Sequence, residues 1–153
     1  MGEEIPYRFE PGVDTARLLD DHGALVAGEE SGVDVTVAGR LMLRRLQGQL
    51  AFGVLQDSSG RVQLFAPEKT TPDFAGFAGL HLGDWVGVTG EVLRTKRGEL
   101  SVRVDSWVRL AEARRPFPDK WRGIADVNTR YRQRYVDLWV TEETRRVFAT
   151  RSQ

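Results

Sequence analysis

Val33, Val35, Val37, Gly39, Leu41 and Leu43 alternate with Asp34, Thr36, Ala38, Arg40, Met42 and Arg44. A period of two puts one set on each side of an extended chain and predicts a long, half-buried strand. Gly39, in its middle, predicts the bend or bulge that a small barrel needs to turn a corner. Residues 46–49 read as a loop and residues 50–56 as a second strand. Asp57-Ser58-Ser59-Gly60 is a tight hairpin connection, with Gly60 where positive φ is cheapest. Residues 61–66 form a third strand. The alternation then breaks. Over residues 67–82, Phe74, Phe77 and Leu80 or His81 fall at helical spacing, which predicts a short helix across one end of the sheet. Gly83-Asp84 turns the chain into a fourth strand, residues 85–95, and Lys96-Arg97-Gly98 is a hairpin tip. Residues 99–110 are a fifth strand with Leu100, Val102 and Val104 on one face.

Three strands, a helix and two strands make an all-β core. Five strands with a helix between the third and fourth are the arrangement of an OB-fold, a five-stranded Greek-key barrel. A sandwich wants about seven strands, and closing a barrel hides the edges that five short strands expose. Around this core, residues 1–32 read as an N-terminal extension in which Asp14 caps a short helix, residues 15–21, ended by Gly23. The barrel takes residues 33–110. Residues 111–140 read as an arginine-rich linker holding Pro116 and Pro118. From Thr141 the pattern turns helical, and Val147 and Phe148 begin an apolar stripe. Residues 141–153 are therefore expected to be the start of a C-terminal helix in a fragment of a longer protein.

The 153 residues suit one domain with short appendages, and 41% hydrophobic with 29% charged residues is a globular balance. The chain has no cysteine, which excludes disulfides, thiolate metal sites and a thiol nucleophile. His22 and His81 are too far apart in sequence to suggest a zinc cluster. No apolar run of about 18 residues offers a bilayer span, the acidic N-terminus is no secretory signal, and a cytoplasmic address is the default. The net charge of zero hides an asymmetry. Residues 1–35 carry 2 basic and 9 acidic side chains, residues 36–110 carry 10 and 7, and residues 111–153 carry 10 and 6. A polyanion meets the middle and end of this chain and avoids its start.

Alternation also assigns an outer face. With Val62 and Leu64 inward, Arg61, Gln63 and Phe65 point out. With Leu100, Val102 and Val104 inward, Glu99, Ser101 and Arg103 point out. With Ala51, Gly53 and Leu55 inward, Phe52, Val54 and Gln56 point out. The first loop and the hairpin tip then overhang the surface that OB-folds use for oligonucleotides. An exposed Phe52 ring is a stacking platform for a base. Gln63 can donate and accept at a Watson–Crick edge, and Glu99 can accept from a base imino or amino group. Arg40, Arg44, Arg45, Arg61, Lys96 and Arg97 can pair with phosphates. Each residue alone has a plainer reading: a ring packed between elements, solvated polar side chains, a wet basic edge. Sequence-neutral binding of single strands and a protein-interaction module both stay open. No nucleophile–base pair, metal cluster or phosphate-cradling glycine loop suggests catalysis.

The segments VAGRLMLRR, FGVLQDSSGRVQLF, LGDWVGVTGEVLRTKRGELSVRV, RPFPDKWRGIADVNTRYRQRYVDL and FATRSQ closely resemble, in order, the anticodon-binding domain of bacterial class II lysyl-tRNA synthetases. The resemblance runs from about Val33 to Gln153. It implies that Phe52 stacks on an anticodon base, that Gln63 bonds an anticodon uridine, that Glu99 contacts another uridine, and that Arg40 supports the site. Many members of that family have Lys where this chain has Gln49, so one contact is missing from the expected set. The resemblance further implies a lysine-type tRNA as partner, a catalytic domain in the same polypeptide, and a homodimeric parent. The segment from Tyr135 resembles the approach to motif 1. ATP and Mg2+ are implied for the parent, held by motifs beyond Gln153; for this fragment no cofactor, no metal, no catalytic residue and no membrane contact are expected. The same barrel occurs in actinobacterial fusions of a lysyl-tRNA synthetase with a membrane-embedded lysyl-lipid synthase, which leaves a membrane-tethered parent open.

Overall fold

The computed structural model describes residues 5–115, 118 and 124–153. The chain forms two compact units, Met1–Arg115 and Pro116–Gln153. Among the described residues, the first unit holds helix α1 (Thr15–His22), strands β1 (Glu30–Gln47), β2 (Leu50–Gln56) and β3 (Arg61–Pro67), helix α2 (Phe74–Gly79), and strands β4 (Trp85–Arg94), β5 (Leu100–Arg103) and β6 (Ser106–Ala111).

β1 is long because it serves two neighbours. Its first half pairs antiparallel with β4, ending at Arg40↔Trp85, and its second half pairs antiparallel with β2 from Arg40↔Gln56 to Gln47↔Leu50. The changeover falls beside Gly39. A Cβ there would lie 2.4 Å from the Gln56 carbonyl oxygen, so only a glycine lets the two backbones approach. β2 pairs with β3, β3 runs parallel to β5, and β5 pairs antiparallel with β4, which closes the ring. The expected barrel is therefore present, and its edges are used up in pairing.

Two details differ from the alternation. A bulge between Leu41 and Leu43 shifts the register by one. Leu43 consequently leaves the core set and faces outward opposite Val54. The fifth strand, expected as one piece over residues 99–110, is divided at Val104–Asp105. A Cβ on Gly90 would lie 1.7 Å from the Arg103 carbonyl oxygen, so the chain crosses β4 hard against its backbone and bends there. β6 then continues along the same edge of β4, from Thr89↔Ser106 to Trp85↔Ala111.

The core is the inward set. Val37, Leu41, Leu55, Leu64, Val86, Val88, Val92 and Val102 are buried, with Leu18 from α1 and Phe77 from α2 joining them. Burying a side chain of this size stabilises by about 1.5–3 kcal/mol. α1 is capped by Asp14, whose carboxylate accepts from the Arg17 N–H. The helix is also pinned to the β2–β3 turn. The Thr15 N–H and hydroxyl donate to the Asp57 carboxylate at 2.8 and 2.7 Å, and the Ala16 N–H donates to the Ser59 hydroxyl at 3.0 Å. Burial pushes the Asp57 carboxyl up, but the donors on Thr15 and Ser59 outweigh it and hold the group below the ordinary carboxylate value.

The second unit contains α3 (Val127–Arg132), α4 (Arg134–Val140) and α5 (Glu142–Ser152). The linker expected over residues 111–140 thus carries two helices, while residues 116, 117 and 119–123 of that stretch lie outside the described ones. Asp126 caps α3 through the Thr129 N–H. Asp137, fully buried, organises the unit: Arg130 Nε, Arg134 Nη1 and the Thr141 hydroxyl donate to it at 3.1, 2.5 and 2.7 Å. Burial raises its carboxyl, and hydrogen bonds from Thr141, Thr144 and Arg130 with the charge of Arg130 overcome that and lower it. Thr141, expected at a helix start, precedes α5 and turns its hydroxyl to Asp137 instead of capping.

Candidate nucleic-acid interface

The outer face of the barrel is built in cross-strand rows. One row reads Arg45, Phe52, Phe65, Arg103 across β1, β2, β3 and β5. The next reads Leu43, Val54, Gln63, Ser101 across the same strands. Rows two residues apart share a face, so Phe52 and Gln63 are diagonal neighbours about 7–8 Å apart. The rings of Phe52 and Phe65 lie 5.6 Å apart and tilted by 39°. The Arg45 guanidinium sits 5.1 Å from the centre of the Phe52 ring, a cation–π contact. Phe52, Gln63 and Phe65 are half-buried, and Glu99 is exposed.

The β4–β5 hairpin stands beside these rows on a rigid stem. The Thr95 N–H donates to the Glu99 carbonyl at 2.9 Å, the Gly98 N–H to the Thr95 carbonyl at 2.8 Å, and the Glu99 N–H to the Thr95 hydroxyl at 3.2 Å. Arg94 Nη1 bonds the Gly98 carbonyl at 2.8 Å and Nη2 the Gly23 carbonyl at 3.0 Å, tying the hairpin to the segment after α1. Gly98 has φ +90°, where a glycine is needed. The tip therefore presents Lys96 and Arg97 to solvent without being slack.

Between rows and hairpin lies an open groove of about 1140 Å³. Phe52, Gln63 and Glu99 all line it, as do Arg45, Arg61, Lys96 and Arg97. With Arg94, its lining carries five basic side chains against two acidic ones, Glu30 and Glu99. A groove of positive field floored by aromatic rings and an amide offers single-stranded nucleic acid phosphate pairing, stacking and edge hydrogen bonds together.

Residues 35–110 match a family described as OB-fold nucleic acid binding domain, tRNA anti-codon. Over those residues the chain belongs to that family. The whole chain is also similar to longer proteins. It is 48% identical over 154 residues to a lysine–tRNA ligase of Synechococcus sp. (strain RCC307), covering 98% of this chain and 31% of that protein. It is 47% identical over 161 residues to the lysine–tRNA ligase of Prochlorococcus marinus (strain MIT 9313), covering 96% and 32%. A third, from Synechococcus sp. (strain CC9311), is 48% identical over 156 residues, covering 99% and 32%. The chain spans about a third of the length of the curated relatives it matches.

Not every residue expected on the face of this OB domain is there. Arg40 is half-buried away from the groove: its Nη1 donates to the Gly83 carbonyl at 3.2 Å, and its guanidinium lies 5.3 Å from the Trp85 ring. Burial lowers its pKa from the ordinary arginine value. Arg44 turns towards α2 and donates to the Ala78 carbonyl, satisfying one of the groups a helix end leaves open. The bulge explains the split, because it places Arg44 opposite Gly53 and Arg45 opposite Phe52. Gln56, expected outward, is only 2% exposed and accepts from Arg61 Nε at 2.6 Å, so Arg61 enters the groove already anchored. Ser101, on the outer side by parity, is covered and 0% exposed. Gln49 lies outside the groove lining, in the turn after β1.

Phe65, Leu43 and Ser101 were not among the expected contacts. Phe65 had a signal, since alternation turns it outward beside Phe52. Leu43 had none, because the bulge that moves it leaves no mark beyond a nearby glycine. Among the described residues no three or more His, Asp or Glu stand together as a cation site, and no helix is long and apolar enough to cross a membrane.

Proposed function

We propose that this OB domain binds the anticodon loop of a lysine-type tRNA and selects it by reading uridines. The observation that carries the reading is the convergence of Phe52, Gln63 and Glu99 on one open, basic-lined groove. Phe52 stacks an unpaired base, Gln63 meets one uridine edge, and Glu99 accepts from another; Arg45, Arg61, Lys96 and Arg97 hold the backbone. Proteins read RNA sequence where bases are unstacked, and an anticodon loop presents such bases. A wrong base covers the Gln63 amide or the Glu99 carboxylate without pairing it, which is where rejection comes from.

The parent in this reading is a lysine–tRNA ligase, as the relatives are named. ATP and Mg2+ belong to the parent's ligase chemistry. The acids in the groove's lining are Glu99 and Glu30, and among the described residues no three or more His, Asp or Glu stand together to hold a cation. The catalytic domain and a second copy of the parent are further partners in this reading, with α5 at the start of motif 1.

Titration of the whole chain with a lysine-type anticodon hairpin tests the proposal. The expected result is weaker binding when the central uridine is replaced, and weaker binding of an aspartate-type hairpin. Equal affinity for all loop sequences would leave a sequence-neutral single-strand binder.

A further inference from the structure

Gln63 is an ambiguous reader by itself. Its amide has a donor end and an acceptor end, and rotation by half a turn exchanges them. Uracil offers an N–H donor at N3 beside an acceptor at O4. Cytosine offers an acceptor at N3 beside an amino donor at N4. An amide free to turn over matches either base with two hydrogen bonds.

In this chain the amide is not free. Gln63 Nε2 donates to the Ser101 hydroxyl at 2.9 Å, and the Ser101 hydroxyl donates its single proton to the Glu99 carbonyl at 3.2 Å. Having spent that proton, Ser101 Oγ shows Gln63 lone pairs alone, so the nitrogen end of the amide must face it. The serine is 0% exposed and opposite Gln63 in the parallel β3–β5 register, so it cannot swing away. The Glu99 carbonyl is itself fixed by the Thr95 N–H at 2.9 Å. The chain of donors runs in one sense from Gln63 to the hairpin stem. It leaves Gln63 Oε1 and the second Nε2 proton for the groove.

We infer that Ser101 is a positioning residue for specificity: it locks the Gln63 amide in the one sense that pairs with uridine, making an ambiguous reader reject cytidine. The inference rests on the proposed reading that Gln63 meets an anticodon base. Uracil N3–H donates to Oε1 and O4 accepts from Nε2. Cytosine in the same pose sets acceptor against acceptor and donor against donor. Turning the amide over to suit it puts Oε1 against Ser101 Oγ, and the hydroxyl must abandon the Glu99 carbonyl to follow.

The test measures affinity of the whole chain for anticodon hairpins in which each uridine in turn is replaced by cytidine. Wild type should prefer uridine at one position by about tenfold or more, the range of a two-point base contact. Ser101→Ala removes one oxygen without adding bulk. An amide then split evenly between two senses binds uridine only about twofold more weakly, while the preference over cytidine falls towards parity. Ser101→Thr, which keeps the hydroxyl, should keep the preference. On a Gln63→Ala background, Ser101→Ala should leave the uridine-to-cytidine ratio unchanged, because Ser101 acts only through Gln63. Melting curves report whether each variant is folded. A Ser101→Ala variant that keeps the wild-type preference, or weakens both hairpins equally, overturns the inference while the proposed function stands. A Gln63→Ala variant with wild-type preference overturns the inference and the part given to Gln63 in the proposed function.

Discussion

Replacing Phe52 by alanine separates the two things its ring does. The ring is half-buried on the outer face, across from Phe65 at 5.6 Å and under the Arg45 guanidinium at 5.1 Å. It is absent from the buried core, so the barrel keeps Leu41, Leu55, Leu64 and Val102 in place. Truncating a fully buried Phe costs about 3–5 kcal/mol, and a half-buried ring on this face should cost about half of that. The exposed cation–π pairing with Arg45, which the truncation also removes, contributes about 0.5–1 kcal/mol. The melting transition should therefore fall by several degrees and remain cooperative. Binding of a lysine-type anticodon hairpin should weaken by about 1–3 kcal/mol, the worth of one base stacked on an aromatic side chain. Fluorescence anisotropy with a labelled hairpin gives the affinity, and thermal denaturation of the same sample gives the stability. Phe52→Tyr keeps an arene and should keep most of the affinity. Unchanged affinity in a folded Phe52→Ala protein refutes the stacking role; a loss matched by Phe52→Tyr shows that shape, not the ring face, is at work.

Glu99→Gln keeps the size of the side chain and adds a donor, so base preference should relax more than affinity falls; a uniform loss over all loop sequences would mark structural damage instead. Binding should weaken with salt roughly as the few phosphates met by Arg45, Arg61, Lys96 and Arg97, and a salt-independent isotherm contradicts the basic lining's part in it. Gly39→Ala places a methyl 2.4 Å from the Gln56 carbonyl oxygen and 2.5 Å from Leu55 Cδ2. Overpacking of this kind costs about 1–3 kcal/mol or more, and a melting temperature equal to wild type would remove the close-approach argument. The Asp57 carboxyl is held below its ordinary value by Thr15 and Ser59. Its stabilisation of the α1 clamp is thus present above the unfolded value of about 3.9 and is lost as pH falls through the lower folded value. Thermal melts from pH 6 down to 3 should show an acid-side loss that Asp57→Asn diminishes; identical pH profiles for the two proteins count against the clamp.

What was legible in the letters followed from strict alternation. Val62 and Leu64 inward with Gln63 and Phe65 outward needs only a period of two, and β2 falls on residues 50–56 as the pattern reads. Gly39 marked a corner. What was not legible came from contacts between distant backbones. The bulge at Leu41/Leu43 reassigns Arg44 and Arg45 to different surroundings, and the nearby Gly39 does not say at which residue the register shifts. The break at Val104–Asp105 arises where β5 crosses Gly90, a residue far back in the chain. Charge groups Arg40 with the phosphate ligands and the resemblance puts it at the site, and neither says that Gly83 and Trp85 receive it. Asp137 in the RYRQRYVDL segment reads as an ordinary helix acid, yet it is the buried acceptor for Arg130, Arg134 and Thr141.

The most direct test is an NMR titration of the isotope-labelled chain with a lysine-type anticodon hairpin, following the Gln63 side-chain amide and the Phe52 ring. Large shifts at both, with little change at Arg40 and Trp85 on the opposite surroundings of β1, are what a base-reading groove predicts. Shifts that gather around Trp85 and leave Gln63 and Phe52 unmoved would contradict it.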